Sequence, residues 1–247
     1  WLRVISRGDS GHGSTPHDNN AVDHLVRALD RLLDSEPRAE MSPPVAEMMR
    51  RNSRLQEFPN SFFSARADQW PFEAIVLRSM KDLSPRTRSM TRNSCSLTGL
   101  SAGIKTNVIP SEASAVLDCR LLPTEDPEAF KAKLLETLGE GDLELEVIMQ
   151  SQSGPVTDWN TPLFAAIEEA VLKHYPEAVV APYMSSGFTD SAFFRRKGIK
   201  AYGFIPFVLN RDEIKGFHNV DERVPVDSFR NAIPIFYDIL ERFAQTP

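Results

Sequence analysis

Hydrophobic and polar residues alternate in four short stretches within the first 150 residues of the chain. Alternation with a period of two is typical of β-strands that bury one face. Two other segments, residues 20–34 and 126–138, carry apolar residues at the spacing of a helix. The order strand, helix, strand, strand, helix, strand predicts an α+β domain of the ferredoxin-like βαββαβ type, with two helices on one face of an antiparallel sheet. The predicted strands are residues 2–7, 94–101, 113–121 and 143–149.

Residues 41–92 do not fit this repeating order. The segment contains Pro43 and Pro44 and is too rich in aromatic residues for a disordered linker. We therefore predict an irregular insertion with short helices, placed after the first helix of the domain. Together with this insertion, the domain accounts for residues 1–153.

The pattern changes after Gly154-Pro155. Thr161-Pro162 is a favourable start for a first helix. A second helix is predicted from Asp190 to Lys197, and the following Gly198 is predicted to end it. A third helix is predicted to begin at a capping Asp227. This last helix carries a Pro234 that could kink it, together with the apolar residues Phe229, Ile233, Tyr237 and Leu240.

Only two short strands, residues 179–182 and 201–205, are predicted among these three helices. Two strands cannot cover the apolar faces of three helices, because a domain needs complete layers of secondary structure. Residues 154–247 are therefore predicted to be the C-terminal part of an α/β domain. We expect the rest of its sheet to come from another segment, most simply one upstream of Trp1.

Composition narrows the classes of partner. The 247 residues are 41% hydrophobic and 25% charged, with a formal net charge of −6 and interspersed signs. This balance argues against nucleic acid or an anionic membrane as the main partner. The two cysteines, Cys95 and Cys119, lie in strand-like segments and are predicted to be free, buried and small. Free cysteines favour a reducing compartment, and a cytoplasmic location is expected.

Two of the five histidines lie in glycine-containing loops beside other polar residues. They are His12 and His218, and each could be an ordinary loop histidine. A zinc site needs three or four ligands, and no His-Glu-x-x-His or Cys-x-x-Cys motif accompanies either of them. His17 follows a proline in a turn and is given no role.

Other polar residues have equally plain structural explanations. Asn107 could cap a strand, and Arg120 could be exposed, although its guanidinium also suits a substrate carboxylate. Residues 185–190 could cap a helix or present N–H groups to an anion.

Taken in order, these segments resemble the zinc-dependent aminoacylase and carboxypeptidase family, which includes carboxypeptidase S, acetylornithine deacetylase and succinyl-diaminopimelate desuccinylase. The resemblance extends over nearly the whole chain apart from the insertion, and the motifs are specific as a set. They are residues 11–16 (Gly-His-Gly-Ser-Thr-Pro) with 20–22, 106–113 (Thr-Asn-Val-Ile-Pro-Ser-Glu-Ala) with 118–120, 187–190 (Gly-Phe-Thr-Asp) and 216–223 (Gly-Phe-His-Asn-Val-Asp-Glu-Arg).

The resemblance implies a hydrolase of amide bonds in which a ferredoxin-like lid, which is also the homodimer contact, is inserted into a zinc-peptidase-like α/β domain. It implies that His218 binds one of two zinc ions, with cobalt or manganese as alternatives. It implies that His12 contacts a substrate carbonyl oxygen, typically in the partner subunit's site. The remaining implied substrate-binding residues are Asn107, Arg120, Gly187 and Thr189.

The sequence also departs from the family. The His-x-Asp motif, the bridging aspartate, the Glu-Glu pair and a further acidic ligand, which precede the lid in the family, are absent here. The first hypothesis is therefore a metallohydrolase of acylated amino acids or short peptides that is inactive as this chain alone. The alternative is a catalytically incompetent dimerisation module. A stand-alone ferredoxin-like ligand-binding domain fits residues 1–150 but leaves His218 unexplained. The choice between deacylase, dipeptidase and carboxypeptidase stays open.

Overall fold

A computed structural model describes residues 1–81, 85–139, 141–151, 154–185 and 187–245. The chain divides into two compact units. Unit 1 comprises Trp1–Ala46, Arg66–Ser153 and Met184–Ser186, and unit 2 comprises Glu47–Ala65, Gly154–Tyr183 and Gly187–Pro247. The predicted domain boundary after residue 153 falls beside residues 152 and 153, which lie outside the described ranges, and it stays a prediction.

Within these ranges, six strands form two antiparallel sheets. The four-stranded sheet has the order β3-β5-β1-β6, and a two-stranded ribbon joins β2 to β4. In the larger sheet, the strands that come first and third along the chain are central, which is the ferredoxin-like order that the sequence predicts. The strands are β1 (Leu2–Arg7), β2 (Gly11–His12), β3 (Ser94–Ala102), β4 (Val108–Ile109), β5 (Glu112–Arg120) and β6 (Leu143–Val147).

Ten α-helices and one 3₁₀ turn make up the rest of the regular structure in the described residues. The predicted insertion does consist of short helices, α2 to α5, with the 3₁₀ turn at Ser53–Leu55. None of the described helices is both long and apolar enough to span a membrane. The helices are α1 (Ala21–Asp34), α2 (Pro43–Asn52), α3 (Asn60–Ser64), α4 (Phe72–Lys81), α5 (Pro85–Arg88), α6 (Pro127–Leu138), α7 (Pro162–His174), α8 (Ser191–Arg196), α9 (Arg211–Lys215) and α10 (Val226–Ala244).

The core of unit 1 lies between its sheet and the helices α1 and α6. Alternate residues of β1 and β5 face this core, while their neighbours face away. Asn20 caps α1 by accepting a hydrogen bond from the Val22 N–H at 2.9 Å, and Asp126 caps α6 in the same way. The two predicted helices are thus confirmed, whereas Val26 and Leu33, which belong to the apolar pattern of residues 20–34, are 59% and 68% exposed. The buried core residues are Leu2, Val4, Ala21, Leu25, Ala28, Leu29, Ala113, Ala115, Leu117, Leu134 and Leu138.

The prediction of two free cysteines is wrong. Cys95 and Cys119 lie directly opposite each other in the antiparallel pair β3–β5, with their Cα atoms 4.0 Å apart, and they form a disulfide. The register of the two strands brings the residues together across 24 positions of sequence. Disulfides persist mainly in oxidising compartments, so the cysteines no longer support a reducing one.

Unit 2 is built around the packing of α7 against α10. The buried residues at this contact include Ile167 and Ala170 from α7, and Ile235 and Ile239 from α10. The helix α10 runs through Pro234, begins at Val226, and has no side-chain cap, so the predicted cap at Asp227 is wrong. The apolar residues that predicted this helix are all more than half exposed: Phe229, Ile233, Tyr237 and Leu240.

The two strands predicted in this half of the chain are also absent. Residues 154–185 and 187–245 contain no strand. The segments 179–182 and 201–205 have the apolar composition of buried strands, but a strand forms only when another backbone pairs with it. Ile205 and Val208 are instead 57% and 58% exposed. Within the described residues, unit 2 therefore has apolar segments without a sheet.

Candidate functional site

The first candidate, His12, lies on a loop that the structure closes at its base. The loop runs from residue 8 to residue 20, and the Asp9 N–H donates to the Asn19 carbonyl oxygen at 2.8 Å. At its tip, β2 pairs with β4, so that His12 faces Val108. The sequence motif thus forms a ribbon that presents an exposed histidine beside the main sheet of unit 1.

Contacts with Ser14 determine which nitrogen of His12 carries the proton. The Ser14 backbone N–H donates to His12 Nδ1 at 3.2 Å, and Ser14 Oγ lies 2.7 Å from the same nitrogen. Because a backbone N–H can only donate, Nδ1 acts as the acceptor and the ring proton of the neutral histidine lies on Nε2. His12 is therefore arranged to donate a hydrogen bond from Nε2. Ser14 belongs to the motif of residues 11–16, but nothing in the sequence indicates this contact.

Asn107 lies next to this histidine, at the start of the same ribbon. Its carbonyl oxygen accepts a hydrogen bond from the Gly13 N–H at 2.8 Å. The two backbones approach so closely that a Cβ at Gly13 would lie 3.3 Å from that oxygen, which explains the glycine. The structure thus brings two predicted site residues, His12 and Asn107, together.

Arg120 ends the central strand β5 and is already paired. Its Nε lies 2.7 Å from Asp118 Oδ1, and one terminal nitrogen donates to Asp118 Oδ2 at 2.9 Å. The two residues are separated by two positions in a strand, so both side chains project from the same face. The alternation in the sequence already indicated this shared face, but not that the carboxylate would be the partner. The contact holds the guanidinium fork in a fixed orientation.

Arg120 and the His12 ribbon lie at opposite ends of β5. The strand begins at Glu112, just after β4, and Arg120 is its last residue. Arg120 is eight positions after Glu112 along the strand, which corresponds to roughly 26 Å. The length of β5 therefore lies between Arg120 and the end of the strand that is next to the His12 ribbon.

Gly187 and Thr189 lie in unit 2, in the segment before α8. The carbonyl oxygen of Thr189 accepts a hydrogen bond from the Ala192 N–H at 3.1 Å and so begins the turn that leads into this helix. Gly198 follows the helix with φ +79°, as its predicted role in ending the helix requires. Ser186, which belongs to the predicted anion-binding loop, lies outside the described residues.

His218 adopts an unusual backbone conformation. Its φ is +60°, and it is the one non-glycine residue with positive φ in the described part of the chain. It follows α9 in a turn in which the Asn219 N–H donates to the Gly216 carbonyl oxygen at 2.9 Å. Its own N–H donates to Glu222 Oε2 at 3.3 Å. Left-handed backbone in a residue with a side chain costs free energy and is concentrated at functional sites.

The side chains described here do not complete a metal site. They include no group of three or more histidine, cysteine, aspartate or glutamate residues that could hold a metal ion. Structural and catalytic zinc sites both require at least three protein ligands. His218 could supply one of them, so the described residues of this chain do not fit a zinc pair by themselves.

Comparison with known proteins places these features in a family. The model of the M20 peptidase dimerisation domain matches residues 1–146. The chain is 26% identical over 236 residues to the N-fatty-acyl-amino acid synthase/hydrolase PM20D1 of Mus musculus, covering 94% of this chain and 46% of the relative. It is 28% identical over 253 residues to aminoacylase-1 of Homo sapiens, and this match covers 100% of this chain and 51% of the relative. The chain thus spans about half the length of these curated relatives.

A solved structure shows the same fold. The dipeptidase Dug1p from Saccharomyces cerevisiae superimposes with a TM-score of 0.62 at 16% identity, over 100% of this chain and 54% of that one. The sheet order β3-β5-β1-β6 and the family match cover the same part of the molecule. The chain belongs to the M20 peptidase dimerisation-domain family, with homologues among the M20 aminoacylases and carboxypeptidases.

Proposed function

We propose that this chain supplies the lid and the C-terminal part of the catalytic domain of a homodimeric M20 hydrolase, which cleaves the amide bond of an N-acyl amino acid or a short peptide. The observation that carries the proposal is the preset His12, whose Nε2–H is free to donate from a ribbon at one end of the lid. Relatives named as an aminoacylase and an N-fatty-acyl-amino acid hydrolase support the substrate class.

His12 would stabilise the oxygen of the amide that is cleaved. When an amide carbonyl is attacked, negative charge develops on its oxygen, and a donor fixed beforehand stabilises that charge. The Nε2–H of His12 is such a donor because Ser14 already occupies Nδ1. Asn107 lies beside it on the same ribbon and would contact the backbone or carboxylate of the substrate.

Arg120 would bind the free carboxylate of the substrate. An N-acyl amino acid and the C-terminal residue of a peptide both carry this group, and a guanidinium fork binds it through two hydrogen bonds. Asp118 holds the fork but also neutralises part of its charge. The substrate carboxylate would therefore bind to the donors of Arg120 that Asp118 does not engage.

The distance between His12 and Arg120 supports a site that two subunits share. Roughly 26 Å of strand separates the two ends of β5, which is too far for one acylated amino acid. In a dimer joined through the lid, His12 of one subunit would act on the substrate that Arg120 of the other subunit holds. Closed dimers of this kind have two equivalent sites.

The metal would require another segment. His218 would be one ligand of a pair of zinc ions, or of cobalt or manganese in their place, and such ions polarise a carbonyl and supply a nucleophilic water. Gly187 and Thr189 would line the pocket of the acyl group. The exposed apolar residues of α10 and the unpaired segment 201–205 support the proposal, because they are surfaces that a completing sheet would cover.

The second candidate function is a dimerising module without catalysis. The observation that favours it is the incomplete set of metal ligands in the described residues. Metal analysis and an amidase assay on this chain test whether the 247 residues catalyse by themselves or act only as a dimerising module. Stoichiometric metal with turnover would contradict the module, and the absence of both would show that this chain does not catalyse by itself.

The shared site has a sharper test, in the longer polypeptide that contains this chain together with the remaining ligands. His12→Ala and Arg120→Ala should each abolish most of the turnover. When the two inactive variants are mixed and allowed to exchange subunits, about a quarter of the wild-type activity should return, because half of the dimers then contain one intact site. If His12 and Arg120 served a site within one subunit, mixing would restore nothing.

The cellular location is also a proposal. A cytoplasmic location was the expectation from composition, whereas the Cys95–Cys119 disulfide is typical of an oxidising compartment. Alkylation of the protein taken directly from cells under acid quench would decide between them. Alkylation of both cysteines would support a cytoplasmic location. Alkylation of neither cysteine would indicate an intact disulfide and support an oxidising compartment.

A further inference from the structure

His17 is a half-buried histidine to which neither the sequence motif nor the proposed reaction assigns a role. Both of its ring nitrogens are shielded from solvent, and neither has a hydrogen-bond partner among the residues that the structure describes. A buried imidazole without partners loses the hydrogen bonds that it would make to water. An aliphatic residue would avoid that loss, so hydrogen bonding does not explain the presence of a ring at this position.

The ring lies against the backbone that carries His12. A Cβ built on Gly11 would be 3.0 Å from His17 Nε2 and 3.2 Å from its Cδ2, with the Cδ1 of Ile109 next at 3.7 Å. The imidazole therefore occupies the space that a side chain at Gly11 would need. Gly11 immediately precedes His12 in β2 and pairs with Ile109 in β4. His17 thus packs on the ribbon one residue away from the proposed donor.

The residues that follow His17 in the loop are fixed by hydrogen bonds. The residue after His17, Asp18, accepts a hydrogen bond from His24 Nε2 at 3.1 Å through its carbonyl oxygen. The neighbouring Asn19 carbonyl oxygen closes the loop onto Asp9. Because His24 is in the first turns of α1, the chain on the far side of His17 is fixed to a helix of the core. The imidazole is the packed contact between this fixed segment and Gly11.

We propose that His17 is a positioning residue for His12. Its flat ring fills the interior of the loop and holds the β2–β4 ribbon in the register in which His12 faces Val108. The catalytic consequence rests on the proposed function, because it needs His12 to act on a substrate oxygen. The positional effect itself does not depend on that function and can be measured on this chain.

The first test is amide hydrogen exchange at Gly13, whose N–H donates to the Asn107 carbonyl oxygen across the ribbon. His17→Ala should speed exchange at Gly13 by at least ~10-fold, because the ribbon opens more often, while amides of the sheet core stay unchanged. Asp18→Ala is the matched control, since it removes a neighbouring exposed side chain and leaves the carbonyl oxygen that His24 binds. Unchanged exchange at Gly13 in His17→Ala would overturn the proposal.

A double-mutant cycle tests the contact itself. Gly11→Ala places a methyl group against the imidazole and should also speed exchange at Gly13. In the His17→Ala background the space is empty, so the same substitution should have little further effect. Additive effects of the two substitutions would show that the ring does not pack on Gly11, and would overturn the proposal even if one single variant folded poorly.

Kinetic constants of the longer polypeptide then distinguish a displaced His12 from a general loss of folded protein. His17→Ala should lower kcat about 10-fold and leave KM within about 2-fold, because a displaced donor fails in the transition state more than in substrate binding. Faster exchange at Gly13 with an unchanged kcat, in an enzyme that His12→Ala inactivates, would refute the catalytic consequence. If His12→Ala itself leaves turnover unchanged, the proposed function fails, and the exchange measurements still decide whether His17 holds the ribbon.

Discussion

His174 Nε2 lies 2.7 Å from Asp238 Oδ2, and this contact joins the two main helices of unit 2. The other oxygen of Asp238 accepts a hydrogen bond from Lys173 at 2.9 Å. One carboxylate on α10 is thus bound by two consecutive residues at the C-terminal end of α7. The contact thus supplements the apolar packing between the two helices.

This contact predicts a loss of stability at acid pH. Hydrogen bonds from Lys173 and then from His174 hold the pKa of Asp238 below its ordinary value. A carboxyl whose pKa is lowered by folding stabilises the folded state above its unfolded pKa, and this contribution disappears as pH falls through the folded value. We expect the wild type to lose more stability than Asp238→Asn below about pH 4 in denaturation experiments. Parallel pH curves for the two proteins would contradict the expectation.

The disulfide should stabilise the fold of unit 1. Cys95 and Cys119 enclose the segment that runs from β3 to β5, and closing a loop of this length raises the free energy of the unfolded chain by about 3.5 kcal/mol at 25 °C, through its lost entropy. Replacing both cysteines with alanine should lower the free energy of unfolding by a comparable amount. Urea denaturation with and without reductant measures the effect. The alanine variant is the control, because reductant should leave its midpoint unchanged.

Arg51 connects the insertion to α7 within unit 2. Its Nε donates to Glu47 at 2.6 Å, its Nη1 to Glu168 at 2.8 Å and to the Val180 carbonyl oxygen at 2.9 Å. The guanidinium also lies over the ring of Phe164, 5.4 Å from its centroid.

Removing this guanidinium should be costly, because the side chain of Glu47 is only 8% exposed. Arg51→Ala should lower the free energy of unfolding by about 2 kcal/mol, less than the loss of a whole buried pair, because Arg50 still binds Glu47. Arg51→Lys should recover little of the lost stability. A single ammonium group cannot reach all three acceptors and also lie over the ring of Phe164. Arg54→Ala, in the neighbouring exposed turn, is the matched control for thermal and chemical denaturation. Equal effects of Arg51→Ala and Arg54→Ala would disprove the role of the network.

The backbone of His218 predicts an unusual response to substitution. At φ +60° a glycine is unstrained, whereas alanine keeps the steric cost of its Cβ. His218→Gly should therefore be about 1 kcal/mol more stable than His218→Ala, although both variants remove the imidazole. In the longer enzyme both should lose metal and activity. A His218→Gly variant that is the less stable of the two would contradict the left-handed conformation.

Much of the lid could be predicted because its signals are local. The alternation in residues 2–7 and the helical stripe of residues 20–34 depend only on which side chains face a core, and β1 and α1 formed there. Asp126 and Gly139 mark the ends of α6 through their own backbone preferences. The motif around His12, by contrast, was informative only as one of an ordered set of segments that resemble a family.

The sequence by itself therefore determined the strands of the four-stranded sheet in unit 1, the two helices that pack on it, their order along the chain and the family motifs. Only the tertiary structure decided which distant residues meet: Cys95 with Cys119, His17 with Gly11, and Arg51 with Glu168. It also decided that residues 179–182 and 201–205 form no strand in the described chain. The physical reason is that a strand, a disulfide or a packed ring needs a partner, and a partner is set by register and packing across the fold rather than by neighbouring residues.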